Sequence, residues 1–323
     1  MTTLSPAGQR PAFRHLLVVY NPTAGARRQR RLQLFLEELA RAGCRYELFA
    51  TTQRGDAETA ASTAGDRGFD LIVAAGGDGT LNEVVNGLAM ARRKLPVAFM
   101  PLGTANVLAA EIRLSCAPRK VAKAVLEGRL RTIRLGEAQG RYFVLMASVG
   151  ADAAVVHGLD LDLKRRLGKL AYGLEACRRA LSYGFPSLEV IVDGVPYTAR
   201  MVVACKARCY GGPFRAAPDA DLCGEMLHAV LLERAGAWSM LRYGLALGLG
   251  RLGRLPDVRI VPGRRIVING PAGTPVQADG DPLGLLPVEI SVSGLVVDLV
   301  VPETGEGALM HDQAGQQRQE QDA

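Results

Sequence analysis

The order of apolar and polar positions divides the chain into two parts with different rhythms. In the first, short apolar runs alternate with segments of helical period. Residues 15–21 read as a strand, and 28–42 as a helix whose Leu32, Phe35, Leu36 and Leu39 share one stripe. Further strands are expected at 45–50, 70–75 and 96–100. Helices are expected at 56–66, 80–92 and 118–127, with a short one opening at Thr104. Strand–helix alternation at this spacing predicts an α/β domain, a parallel sheet with helices on both faces.

The rhythm changes near Gly128. Apolar runs at 142–148, 188–192, 198–205, 227–232, 259–261, 264–269, 288–292 and 295–301 are separated by Gly, Pro and Asp turns. Helical period returns only at 162–183 and 237–252. This pattern predicts a mostly antiparallel, β-sandwich-like C-terminal domain. The expected organisation is a flexible leader at 1–13, an α/β domain at 14–128, a β-rich domain at 129–302 and a disordered, glutamine-rich tail at 303–323.

Composition narrows the function classes. The chain has 323 residues, 48% hydrophobic and 22% charged, which suits a large core and excludes a disordered protein. The net charge is +7, and only six of the 39 basic residues are lysine. Arginine suits forked contacts with phosphate, although codon bias accounts for the same count. A phosphorylated small molecule, a lipid surface or nucleic acid all fit such a charge. Aromatic residues are 5%, with no basic–aromatic interleaving, which argues against nucleic acid.

No uncharged apolar run reaches about 18 residues, so no membrane span is expected; residues 238–250 are too short and carry Arg242. The N-terminus lacks a secretory pattern, and a cytoplasmic protein is expected. The six cysteines form no CxxC and the four histidines no HExxH, which argues against zinc and for reduced thiols.

The chemistry is concentrated in turns. Ala75-Gly76-Gly77-Asp78-Gly79-Thr80-Leu81-Asn82-Glu83 follows a predicted strand and opens a helix. Glycine at 76, 77 and 79 lets a phosphate approach backbone amides, and the helix start adds its positive end. The pattern is neither GxGxxG nor a P-loop, and an acid in such a turn makes sense with Mg²⁺ beside the phosphates. Read alone, it is equally a βα turn capped by Asp78. Two further turns, Asn21-Pro22-Thr23-Ala24-Gly25 and Pro101-Leu102-Gly103-Thr104-Ala105-Asn106, also end predicted strands. In a parallel sheet the three would line one edge, as a nucleotide polyphosphate site requires.

In order and spacing these turns resemble the diacylglycerol kinase catalytic domain, and the bacterial soluble lipid kinases related to sphingosine and ceramide kinases in particular. The resemblance continues through Gly150-Ala151-Asp152, Pro218-Asp219-Ala220 and Gln277-Ala278-Asp279-Gly280-Asp281. NAD kinases share the Gly-Gly-Asp-Gly-Thr turn and the two-domain plan but not the other two turns together. The resemblance implies ATP contacts from Asn21, the 22–25 turn, Thr51, Gly76–Thr80, Asn82, Glu83, Gly103, Thr104 and Asn106. It puts Asp78 nearest the Mg²⁺ that travels with the nucleotide. It also implies that Asp279 accepts the proton of a lipid hydroxyl attacking the γ-phosphorus, with Asp281 beside it.

Read from the residues alone, Asp279-Gly280-Asp281 is equally a solvated hairpin turn. Asp281 stands where the family has glutamate. The family's Asp-Asp-Gly run, which holds a structural Mg²⁺ in some members, falls on Cys223-Gly224-Glu225, so that metal is not expected.

The 162–183 helix, with Leu163, Leu167, Leu170, Leu174, Cys177 and Leu181 on one stripe and basic residues around it, admits two readings. It packs on the β domain with a solvated face, or it lies on an anionic bilayer. The expected function is an ATP-dependent lipid kinase, cytoplasmic and transiently at a membrane, with diacylglycerol, phosphatidylglycerol or a sphingoid lipid as acceptor and a homodimer left open. The alternatives are an NAD kinase-like enzyme with a soluble substrate and a non-catalytic nucleotide- or lipid-binding regulator.

Overall fold

The computed structural model describes residues 13–22, 25–158 and 183–303. Thr23, Ala24, most of the leader and tail, and the 162–183 helix (except Tyr183) lie outside the described residues.

The first half alternates as its pattern requires: β1 (His15–Tyr20), α1 (Gly25–Arg41), β2 (Arg45–Ala50), α2 (Asp56–Ala64), β3 (Leu71–Gly76), α3 (Asp78–Met90) and β4 (Val97–Pro101). The short α4 (Val107–Glu111) and α5 (Pro118–Glu127) follow. β2, β1, β3 and β4 lie parallel in that order. β3 and β4 are buried along their whole length, as strands covered on both faces must be. α2 packs on α3 and α1 on α5; the crossover from β1 to β2 runs opposite to those from β2 to β3 and from β3 to β4.

The second half is built from β5 (Arg129–Ala138), β6 (Arg141–Phe143), β7 (Met146–Val149), α6 (Ala151–Gly158), β8 (Leu188–Val192), β9 (Val195–Ala199) and β10 (Met201–Cys205). There follow a small hairpin of β11 (Cys209–Tyr210) and β12 (Phe214–Arg215), β13 (Leu227–Leu232) and α7 (Ala237–Gly248). The chain then runs through β14 (Val258–Gly263), β15 (Arg265–Asn269), β16 (Pro275–Ala278), β17 (Asp281–Leu285) and β18 (Val288–Val301). A six-stranded sheet runs β14-β13-β10-β7-β16-β17, and every pairing in it is antiparallel. It faces β15, β8 and β9 across a sandwich core of Val202, Ala204, Ala229, Leu231, Ile266 and Ile268. The alternate residues Val203, Cys205, Val230 and Leu232 face the opposite way, into the larger core shared with the N-terminal half.

β18 joins the halves. Its first residues pair antiparallel with β15, its length pairs with β5, and Leu299 pairs parallel with Val97 of β4. The parallel sheet and one layer of the sandwich are therefore one ten-stranded sheet.

Several sequence expectations change: the run 198–205 divides between β9 and β10, and 288–292 with 295–301 form the single strand β18. The run 142–148 is two strands, because Val144 and Leu145 leave the ladder between β6 and β7 to donate their amides elsewhere. The helix expected from 237 stops at Gly248, with a separate turn of 3₁₀-helix at Leu252–Arg254. The helix opening at Thr104 begins instead at Val107, after Asn106 takes a left-handed conformation with φ 48.

Candidate active site

The second and third glycine-bearing turns meet at the C-terminal edge of the parallel strands, and Asn21, which starts the first, lies on the same edge. Asn21 follows β1, and its amide donates to Ala75 O at 3.3 Å; Thr51 follows β2 and donates to Tyr20 O at 2.9 Å. Leu102 and Gly103, after β4, donate to Gly76 O at 2.8 and 3.0 Å. A Cβ on Gly103 would lie 2.5 Å from Gly77 Cα, so the second and third turns pass backbone against backbone and only glycine fits. A Cβ on Gly76 would collide with the Thr80 side chain.

Asp78, first residue of α3, accepts the amides of Val107 at 3.0 Å and Leu108 at 3.1 Å. It thus caps α4 and ties the second turn to the third. Burial pushes its pKa up, against the lowering effect of those amides. Asn106 donates to Gly103 O at 3.0 Å, while its buried Oδ1 has no partner. An acceptor left in that state costs free energy until a donor arrives. Arg28 reaches Thr104 Oγ1 at 3.4 Å, and Arg31 binds the carbonyls of Pro101 and Cys116, so α1 braces the third turn.

Asp279 and Gly280 form the tight turn between β16 and β17, both with positive φ. The hairpin expected from Asp-Gly is present, but it is not solvated at Asp279, whose side chain is buried. Its Oδ1 accepts the amides of Leu145 and Met146 at 2.9 and 3.0 Å, and its Oδ2 accepts Val144 N at 2.7 Å and Asn82 Nδ2 at 3.0 Å. Four donors fill a carboxylate's four acceptor positions. Burial nevertheless prevails and raises the Asp279 pKa to about 6.

Asn82 also donates to Tyr142 O, and Asn86, one turn on, exchanges hydrogen bonds with both backbone groups of Tyr142. The buried amides of α3 therefore grip β6 as a strand neighbour would.

Asp281, two residues past Asp279, lines a cavity of about 440 Å³ together with Arg54, Glu58, Asn82, Glu83, Arg141, Tyr142 and Leu283. Its Oδ2 lies 3.6 Å from the position a Cβ would take on Gly79, and 3.6 Å from the Arg54 guanidinium. Glu83, on the wall of the same cavity, accepts the amides of Gly55 and Ala57 at the start of α2, at 3.1 and 3.3 Å. Arg141 forms a forked pair with Glu58 at 2.8 and 2.9 Å, closing the wall between α2 and β6. Arg54, Glu58, Arg141 and Asn86 were not singled out from the sequence, because no glycine turn or motif marks them.

Among the described residues no group of three or more His, Cys, Asp or Glu is placed to hold a metal. Each oxygen of Asp78 accepts one backbone amide. The 221–225 segment does not fit a structural Mg²⁺ either. There Lys206, completely buried, donates to the carbonyls of Asp221 at 2.5 Å and Gly224 at 2.8 Å. Its ammonium satisfies both carbonyls, and burial lowers its pKa to about 8.

Comparison with known proteins agrees with this arrangement. The diacylglycerol kinase catalytic domain matches residues 15–138, and the YegS C-terminal NAD kinase beta sandwich-like domain matches residues 146–301. The diacylglycerol kinase of Bacillus subtilis (strain 168) is 31% identical over 295 residues, covering 88% of this chain and 96% of that one. That of Staphylococcus saprophyticus is 26% identical over 273 residues, covering 84% and 90%. A crystal structure described as a diacylglycerol kinase from Bacillus anthracis str. Sterne superposes with a TM-score of 0.73 at 22% identity, covering 90% of this chain and 98% of the other. The turns that meet on one sheet edge, the NAD kinase-like sandwich behind them and this degree of likeness make the chain a member of the diacylglycerol kinase family.

Proposed function

We propose that the protein is an ATP-dependent lipid kinase that moves the γ-phosphoryl group onto the hydroxyl of a diacylglycerol-like lipid. The observation that carries the reading is the approach of Asp281 to Gly79, which brings an acidic turn of the β-rich half against the glycine turn of the α/β half. Phosphoryl transfer needs this juxtaposition of an amide-lined phosphate site with a group that takes a proton.

The nucleotide phosphates lie against the amides of 76–80 and 103–104, at the start of α3, where the helix end favours negative charge. Mg²⁺, bound with the nucleotide, offsets the phosphate charge. Asn106 Oδ1 is the acceptor in this crevice that awaits a donor, such as a ribose hydroxyl. The lipid hydroxyl enters the cavity beside Asp281. Its oxygen attacks the γ-phosphorus, a new P–O bond forms, and the bond to the bridging oxygen breaks to release ADP. The proton passes to the Asp279–Asp281 turn. Asp279 gains a free lone pair only when one of its donors withdraws, and Asn82 is the one side chain among the four.

Incubation with radiolabelled ATP and detergent-dispersed diacylglycerol is expected to give a labelled phospholipid. Labelling of NAD⁺ with none of the lipid would overturn the reading. So would a wild-type protein inert toward a total lipid extract.

A further inference from the structure

Among the described residues, the outer face of α7 is apolar and uncovered. Trp238 is 84% exposed, Leu241 54%, Leu245 61% and Leu249, at the helix end, 71%. At 3.6 residues per turn these four fall within roughly 80° of arc, so they form one ridge. The opposite side of α7 is anchored: Tyr243 and Ala246 are buried, and the Tyr243 hydroxyl bonds Asp257 at 2.6 Å. The β11–β12 hairpin packs beside α7 and presents Phe214, also exposed.

The ridge is bordered by one sign of charge. From Arg234 to Pro256 the chain holds Arg234, Arg242, Arg251 and Arg254 and no acidic residue. The nearest acids are already engaged, Asp257 by Arg242 and Tyr243, and Glu233 by Arg259 at 2.6 Å. Arg234 and Arg242 share Asp257, whereas Arg251 and Arg254 form no ion pair among the described residues, so a second copy meeting this face about a two-fold axis would set two uncompensated arginines from each copy together. An anionic bilayer offers the complementary charge, an apolar interior for the leucines and an interfacial zone suited to tryptophan.

We propose that α7 is a membrane-docking helix, which lies in the surface of an anionic bilayer with Trp238, Leu241, Leu245 and Leu249 immersed and the arginines at headgroup level. The proposal deepens the lipid-kinase reading and rests on it for its use, but vesicle binding is measured without turnover.

Trp238 is the sole tryptophan, so its fluorescence reports on this face alone. With the intact protein, vesicles of phosphatidylcholine containing phosphatidylglycerol are expected to shift Trp238 emission to the blue, and brominated acyl chains to quench it. Pure phosphatidylcholine vesicles are expected to act weakly. Leu241→Ser with Leu245→Ser is expected to weaken co-sedimentation with anionic vesicles at least about tenfold. Arg251→Gln with Arg254→Gln is expected to weaken it about fivefold per residue. These side chains are exposed, and an unchanged melting temperature checks the fold of each variant.

Emission that does not respond to anionic vesicles would overturn the proposal, as would full binding by the double leucine variant. A concentration-dependent dimer abolished by the leucine pair would overturn it in favour of self-association. Vesicle binding without turnover on any lipid would sink the kinase reading and leave the docking face standing.

Discussion

Asn82 Nδ2 and Asp279 Oδ2 meet at 3.0 Å across 197 residues of chain, and both are buried. This single bond joins the helix that opens at the glycine turn to the turn that carries the candidate proton acceptor. Asn82→Ala leaves one position of a buried carboxylate unsatisfied and removes a donor from Tyr142 O. The expected loss is about 1–3 kcal/mol of stability, read by urea denaturation. Asn82→Asp, which sets a second carboxylate against the first, is expected to cost more.

Asp279 gives a pH signature. Its folded-state pKa is about 6 against an ordinary 3.8, so between those values the folded protein holds more protons than the unfolded chain. Stability contributed at this site therefore falls as pH rises through that window, by about 3 kcal/mol in all, and the loss is complete above about 6. If Asp279 takes the acceptor's proton, kcat/KM declines below about pH 6 with unit slope. Asp279→Asn is expected to abolish turnover while nucleotide binding persists. A profile flat through pH 6 rules Asp279 out as the acceptor.

Gly79 and Gly103 separate structure from function. Gly103→Ala drives a methyl into the backbone of Gly77, and is expected to force the two turns apart, lower the melting temperature and weaken nucleotide binding together. Gly79→Ala meets nothing nearer than Asp281 Oδ2 at 3.6 Å and lies in the first turn of α3, so the fold is expected to be retained or stabilised by up to about 1 kcal/mol. If phosphate sits against the Gly79 amide, the same substitution weakens nucleotide affinity, as titration calorimetry would show.

Lys206 predicts indifference to chelators. Because an ammonium already satisfies the carbonyls of Asp221 and Gly224, EDTA is expected to leave the melting temperature of the protein unchanged. Lys206→Met keeps most of the volume but strands both carbonyls, and is expected to cost about 2–4 kcal/mol. Partial recovery of that variant by a divalent cation would show that the segment keeps the shape of a cation site.

What the sequence makes legible here is what is local. Each glycine turn follows a strand and opens a helix, so its backbone needs can be read within ten residues, and parallel topology then brings the turns to one edge. The destinations of side chains are set by distant packing and are not legible in the same way. Asp78 caps a helix that begins at Val107, Glu83 turns to the start of α2, and Arg141 finds Glu58. The break between β6 and β7 is hidden for the same reason. Tyr142–Ser148 is apolar enough for one strand, and only the buried Asp279 explains why its middle amides turn aside.

β18 has a consequence for how the chain reaches this state. The strand that completes the parallel sheet beside β4 is made long after β4 itself, once the rest of the sandwich has been synthesised. Until then β4 is an open edge, and the N-terminal half can fold only as an incomplete sheet whose last hydrogen-bonding partner is missing. Cutting the chain before residue 288 would remove a strand from both halves at once. Neither half, cut at that point, is therefore expected to keep its sheet intact.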